Sequence, residues 1–119
     1  MIKGIGIDIV ELERIEKSML EKKRFTDRIL TEKEKLRFLE LTNQRRRVEY
    51  LAGRFAAKEA CAKALGTGIG RLSFQHIETS NRDNGEPTLE VSGYEKGIFL
   101  LSISHSREYA IAQVLVQEK

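Results

Sequence analysis

Residues 46–65 contain no proline and are rich in alanine, so one helix of about five turns is expected there, ending at Gly66 in the run Gly66-Thr67-Gly68-Ile69-Gly70. In a chain of 119 residues this is the longest element, and the rest of a single domain has to pack around it. Before it, residues 2–10 alternate: Ile5, Ile7 and Ile9 share one face while Gly4, Gly6 and Asp8 share the other, the period of a strand. Residues 11–22 carry Leu12, Ile15 and Met19 at helical spacing. Thr31 reads as the N-cap of a second short helix over residues 32–41, with Glu34 completing a capping box. Beyond Gly70 the pattern changes to short runs at 73–79, 88–91, 98–103 and 109–116. Asn81-Arg82-Asp83-Asn84-Gly85 and His105-Ser106-Arg107-Glu108 break these runs as turns. The expectation is an α+β domain over residues 1–119, an antiparallel sheet packed on helices.

Charge narrows the class. Charged residues make up 33% of the chain, and no apolar run approaches the roughly 20 residues that cross a bilayer. Met1 leads straight into a strand-like run, so neither a membrane span nor an export signal is expected. A single cysteine, Cys61, cannot form an internal disulfide, which fits a reducing cytoplasm. The net charge of +3 is patched, with positive runs at Lys22–Arg24 and Arg45–Arg47 that attract polyanions. Nucleic acid is a poor candidate for that partner: the chain has no Trp, and its aromatic content of 7% offers no stacking platform.

Two carboxylates stand where apolar residues are expected. On the long helix Val48, Leu51, Ala52, Phe55, Ala56 and Ala62 form one stripe, and Glu59 falls near its centre. It reads either as an i,i+4 ion pair with Lys63 or as part of a metal or substrate site. Asp8 ends a strand face otherwise built of Gly4 and Gly6, where another group can approach the backbone. It reads either as a cap for the following helix, with Glu11 as reciprocal partner, or as a ligand. Together, a strand Asp and a helix Glu on an inward face suit Mg²⁺, which takes one or two protein carboxylates and completes its shell with water and phosphate oxygens. Phosphate donors are at hand in Lys63, Arg54, the glycine-rich turn and Ser104-His105-Ser106. The glycines make neither a dinucleotide fingerprint nor a P-loop. Ser104 and His105 are strand neighbours pointing to opposite faces, which argues against serine hydrolysis.

The ordered segments Gly4-Ile5-Gly6-Ile7-Asp8-Ile9-Val10-Glu11, then Arg54-Phe55-Ala56-Ala57-Lys58-Glu59-Ala60 with Lys63-Ala64 and Gly66, then Ser102-Ile103-Ser104-His105-Ser106, resemble the three motifs of the small bacterial 4'-phosphopantetheinyl transferases. The resemblance spans essentially the whole chain. Departures are slight: Glu86 stands between Gly85 and Pro87 where a basic or small residue is frequent, and Cys61-Ala62 replace a bulkier residue and a serine.

This resemblance implies an enzyme that moves the 4'-phosphopantetheine arm of coenzyme A onto a serine of apo acyl carrier protein, in fatty-acid biosynthesis, with Mg²⁺ as cofactor. It implies metal ligation by Asp8 and Glu59, catalytic roles for Asp8, Glu59 and Lys63, and CoA binding by Arg54, Lys63, Gly66, Gly85, Pro87, Ser104 and His105. The acidic carrier protein is expected to meet Arg14, Lys17 and Arg46. Longer relatives carry two such modules with the site at their junction, so a single module is expected to rebuild the junction as a homotrimer with sites between subunits. A non-catalytic CoA-binding protein and a basic nucleic-acid binder are the rival classes.

Overall fold

The structure, a computed structural model, describes residues 1–69 and 72–118. Its elements run β1 (Ile2–Glu11), α1 (Leu12–Glu21), α2 (Phe25–Ile29), α3 (Glu32–Glu40), α4 (Gln44–Leu65), a single 3₁₀ turn (Phe74–His76), β2 (Ile77–Asn81), β3 (Pro87–Val91), β4 (Gly97–His105) and β5 (Tyr109–Glu118). The α+β expectation holds, with antiparallel strands packed on helices. The strands divide into a three-stranded sheet of order β1-β5-β4 and a separate β2-β3 hairpin.

The long helix is the axis of the molecule. Asn43 caps it, its side chain accepting from the Arg46 N–H, and Gly66 ends it in the left-handed conformation at φ 74°. Burial extends well beyond the expected stripe: Gly53, Arg54, Ala57, Lys58, Ala60 and Cys61 are buried along with Val48, Leu51, Ala52, Ala56 and Ala62. The helix is enclosed by the sheet on one side and by α1, α2 and the β2-β3 hairpin elsewhere. Small side chains make this enclosure feasible, because helices and strands can approach closely only where little projects between them.

The glycine face of β1 lies against this helix. A Cβ on Gly6 would come 1.9 Å from the Ala60 carbonyl oxygen, and one on Gly4 would come 2.0 Å from that of Ala64. The group that approaches these glycines is therefore α4. The alternate face carries Ile5, Ile7 and Ile9, which are 60%, 53% and 59% exposed. In register beside them are Leu115, Gln113 and Ile111 of β5, and then Leu100, Ser102 and Ser104 of β4. One whole face of the sheet is thus outward-facing and mainly apolar.

The capping box at Thr31 and Glu34 forms as expected. The short helix α2 was not anticipated by any apolar periodicity. The expected strand at 73–79 opens instead with the 3₁₀ turn, where the Ser73 side chain accepts from the Gln75 N–H. Asp8 does not cap α1: the N-cap position is Glu11, with no side-chain cap bond.

Candidate active site

Asp8 sits in the middle of the β1–β5 ladder, opposite Ala112, with its side chain directed at α4. Lys63 reaches back from α4, its Nζ donating to Asp8 Oδ1 at 3.0 Å and to the Ile7 carbonyl oxygen at 2.9 Å. Of the two readings of Glu59, the i,i+4 ion pair with Lys63 gives way to this cross-element pair. Glu59, one turn before Lys63 and half-buried, completes the group. Burial, and after it the negative charge of Asp8, push the Glu59 carboxyl above its ordinary value, while Lys63 opposes both. Asp8, Glu59 and Lys63 therefore come together, as their shared role in the sequence reading requires. Two adjoining carboxylates, one of them strained by the other's charge, offer hard oxygen donors with open positions, the donor set that suits Mg²⁺. Among the described residues no group of three or more His, Cys, Asp and Glu side chains gathers, so such an ion would draw its remaining ligands from water and substrate.

A second cluster lies on the other flank of α4. Arg54, five residues before Glu59 and so about 140° around the helix, is buried. It is thus no solvated surface charge. Its Nε donates to Thr79 Oγ1 at 3.1 Å and its Nη2 to Asn81 Oδ1 at 3.0 Å, and its guanidinium lies 4.2 Å from the Tyr50 ring centroid. The Asn81 amide in turn donates to the carbonyl of Gly85, which takes φ 90° in the turn that leads to Pro87 at the start of β3. Arg54, Gly85 and Pro87 are thus joined through one asparagine. A groove nearby is lined by Arg37, Arg46, Arg54 and His105 together with one carboxylate, Glu49, which is paired with Arg45. His105 Nδ1 lies 3.7 Å from Glu49 Oε2. Three arginines and a histidine converging on one depression favour an anion.

The run Arg45–Arg47 divides. Arg45 bonds the carbonyl of Arg107 and pairs with Glu49, and Arg47 bonds the carbonyls of Leu41 and Leu39. The flanking arginines are thus fold contacts. Arg46 lines the anion groove. Arg14 and Lys17 are exposed on α1. Ser104 points to the outward face of the sheet, opposite in direction to His105, so the two do not converge. Gly66 lies just past the last turn that bears Lys63, while Gly70, also in the expected phosphate turn, lies outside the described residues.

The most buried charges were not singled out by sequence. Lys58 and Glu34 have fully buried side chains. Lys58 Nζ donates to Glu34 Oε1 at 2.6 Å, to the Ile29 carbonyl at 2.8 Å and to the Phe74 carbonyl at 3.1 Å. Glu34 also accepts from the Thr31 N–H at 2.8 Å, the Thr79 N–H at 2.8 Å and Thr79 Oγ1 at 2.7 Å. Burial pulls the Lys58 ammonium below its ordinary value, with Glu34 opposing it. A faint signal lies in the small apolar residues around it, Ala56-Ala57 before Lys58 and Ala60-Cys61-Ala62 after Glu59.

The family described as the 4'-phosphopantetheinyl transferase superfamily matches residues 4–114. Among curated relatives, the holo-[acyl-carrier-protein] synthase of Geobacillus sp. (strain WCH70) is 59% identical over 118 residues, covering 98% of each chain. That of Oceanobacillus iheyensis is 53% identical over 119 residues, covering 100% of this chain and 99% of the relative. Among solved structures, a holo-(acyl-carrier-protein) synthase from Bacillus anthracis in complex with CoA (3',5'-ADP) is 53% identical. It superposes with TM-score 0.89 over 100% of this chain and 99% of that one. The Plasmodium yoelii acyl carrier protein synthase with ADP bound, at 30% identity, reaches TM-score 0.90 over 100% of this chain and 97% of that one. With its α+β architecture and its juxtaposed Asp8, Glu59 and Lys63, the chain belongs to the 4'-phosphopantetheinyl transferase superfamily.

Proposed function

We propose that this enzyme transfers the 4'-phosphopantetheine group from coenzyme A to a serine of an apo acyl carrier protein, in a Mg²⁺-dependent reaction serving fatty-acid biosynthesis. The observation that carries the reading is the meeting of Asp8, Glu59 and Lys63 between β1 and α4. Asp8 and Glu59 would hold Mg²⁺, which when bound neutralises charge on the pyrophosphate. Lys63 binds pyrophosphate oxygens as a point charge. The serine oxygen forms the new bond to the phosphorus bearing the pantetheine arm, and the bond to the bridging oxygen breaks, releasing adenosine 3',5'-bisphosphate. Glu59 accepts the serine proton.

Arg54 and His105 bind the 3'-phosphate, Gly85 and Pro87 the nucleotide beside it, and Gly66 and Ser104 complete the CoA contacts. Arg14, Lys17 and Arg46 serve the acidic carrier, whose approach their charge accelerates in a salt-dependent way.

One copy places the carboxylates and the anion groove on different flanks of α4, and in the proposed assembly a second copy helps to enclose one CoA molecule between them. The outward apolar face of Ile5, Ile7, Ile9, Ile111, Leu115 and Leu100 supplies the surface for that association. The assembly proposed, as the family resemblance implies, is a homotrimer with three shared sites. Burial of the lone Cys61 and the lack of any helix long and apolar enough to cross a membrane, among the described residues, fit work in the cytoplasm.

The test is to incubate the protein with apo carrier protein, CoA and Mg²⁺ and to measure the carrier's intact mass. The expected result is a phosphopantetheine adduct that disappears with EDTA. No adduct on any acyl carrier protein would overturn the transfer reading, and an adduct unaffected by EDTA would overturn the metal.

A further inference from the structure

Arg54 is held along one edge by the protein itself. Of its five N–H groups, one on Nε goes to Thr79 Oγ1 and one on Nη2 to Asn81 Oδ1, and the planar group rests on the Tyr50 ring. Two of these three supports, Thr79 and Tyr50, lead to Glu34. The Thr79 hydroxyl has a single proton, and it donates that proton to Glu34 Oε2 at 2.7 Å. A carboxylate only accepts, so the direction of this bond is settled and the hydroxyl must turn a lone pair toward Arg54. The Thr79 N–H binds the same Oε2 at 2.8 Å, which ties β2 to α3. Tyr50 donates its hydroxyl to the Glu34 backbone carbonyl at 3.3 Å, which keeps the ring beneath the guanidinium. Lys58 in turn neutralises Glu34 at Oε1.

From this network we infer that Glu34 and Thr79 are positioning residues for substrate binding: they fix the plane and direction of Arg54 so that its remaining N–H edge meets the 3'-phosphate of CoA. The inference rests on the reading of Arg54 as a phosphate ligand. An arginine on the surface surrenders much side-chain freedom when it closes on a phosphate, whereas this one is ordered before the ligand arrives. A chain of bonds running in one sense from Arg54 through Thr79 to Glu34 also lets each bond polarise the next. The network thus acts on affinity for one phosphate of the donor and leaves the bond-making carboxylates untouched.

The probe is 3'-dephospho-CoA, which lacks only the group in question, compared with CoA by steady-state kinetics. Arg54→Ala should abolish the preference for CoA. Thr79→Val keeps the side-chain shape and removes the hydroxyl. It should raise the KM for CoA roughly three- to tenfold, the net scale of one ordinary hydrogen bond, with kcat and the KM for dephospho-CoA held. Thr79→Ser should restore the preference. Tyr50→Phe keeps the ring, loses its anchor on Glu34 and should shift the preference in the same direction by less. It carries the same readout if Thr79→Val does not fold. An unchanged preference in the folded variants, while Arg54→Ala loses it, overturns the positioning role. A preference that survives Arg54→Ala removes the phosphate ligand itself, and the positioning role with it.

Discussion

The two flanks of α4 carry charge under opposite conditions. On one, Lys58, Glu34 and Thr79 are buried, and every donor of the ammonium and every oxygen of the carboxylate has a partner. On the other, Asp8, with 16% of its side chain exposed, and the half-buried Glu59 repel one another, with Lys63 as a shared cation whose side chain is 55% exposed. A saturated buried network has no capacity left for a ligand and serves to define geometry. A strained, incompletely paired cluster has capacity to spare, which is where chemistry is expected.

The comparison breaks first at the saturated end. Lys58→Met leaves Glu34 buried without its cation and should cost roughly 3–5 kcal/mol, lowering Tm by more than about 10 °C. Thermal unfolding measures it, and a Tm within a few degrees of the parent would show that the pair is not what ties α2, α3, α4 and β2 together. On the other flank, Glu59→Gln should lower kcat for transfer by roughly 10²–10³-fold while Tm stays the same or rises. Normal transfer by this variant together with normal binding of Mg²⁺ and CoA would strip Glu59 of both proposed roles. Gly6→Ala tests the backbone that joins the flanks. Its Cβ would meet the Ala60 carbonyl at 1.9 Å, forcing β1 off the helix at a cost of about 1–3 kcal/mol. Because Asp8 moves with the strand, transfer should fall by more than the unfolded fraction explains.

The smallest effect is on pH dependence. The Glu59 carboxyl is raised in the fold, chiefly by burial and then by Asp8. Its protonated form is therefore the one the fold favours. That contribution to stability is fully present below the ordinary carboxylate range and is lost as pH rises through the raised value. Urea titrations across acid to neutral pH should show this loss in the parent protein without divalent cation and not in Glu59→Gln. Identical slopes in the two proteins would mean that Glu59 is no more strained than a surface carboxylate.

Much of this arrangement is legible in sequence. The helix over 44–65 declares itself by alanine and the absence of proline, β1 by strict alternation, and the capping box at Thr31 by residue types at a fixed spacing. Asp8 and Glu59 stand out because each interrupts a pattern. What stayed hidden is long-range. Periodicity shows that Ile5, Ile7 and Ile9 share a face but not that this face is outward, since the decision lies in glycine contacts with a helix more than fifty residues away. Lys63 has two carboxylates within reach, and only the tertiary fold selects Asp8 over the helical neighbour. Lys58 and Glu34 are 24 residues apart and each has an ordinary local explanation, so their pairing has no local signature.

Cys61 lies in the saturated interior, and burial pushes its thiol up to about 12. At neutral pH it is therefore almost wholly protonated, and only a thiolate attacks disulfides or alkylating agents. The proposed donor, coenzyme A, itself ends in a thiol and forms disulfides as it ages. A reactive cysteine beside such a substrate would invite mixed disulfides with every turnover. Recessed within α4, this one leaves the protein chemically indifferent to the redox state of its own substrate pool.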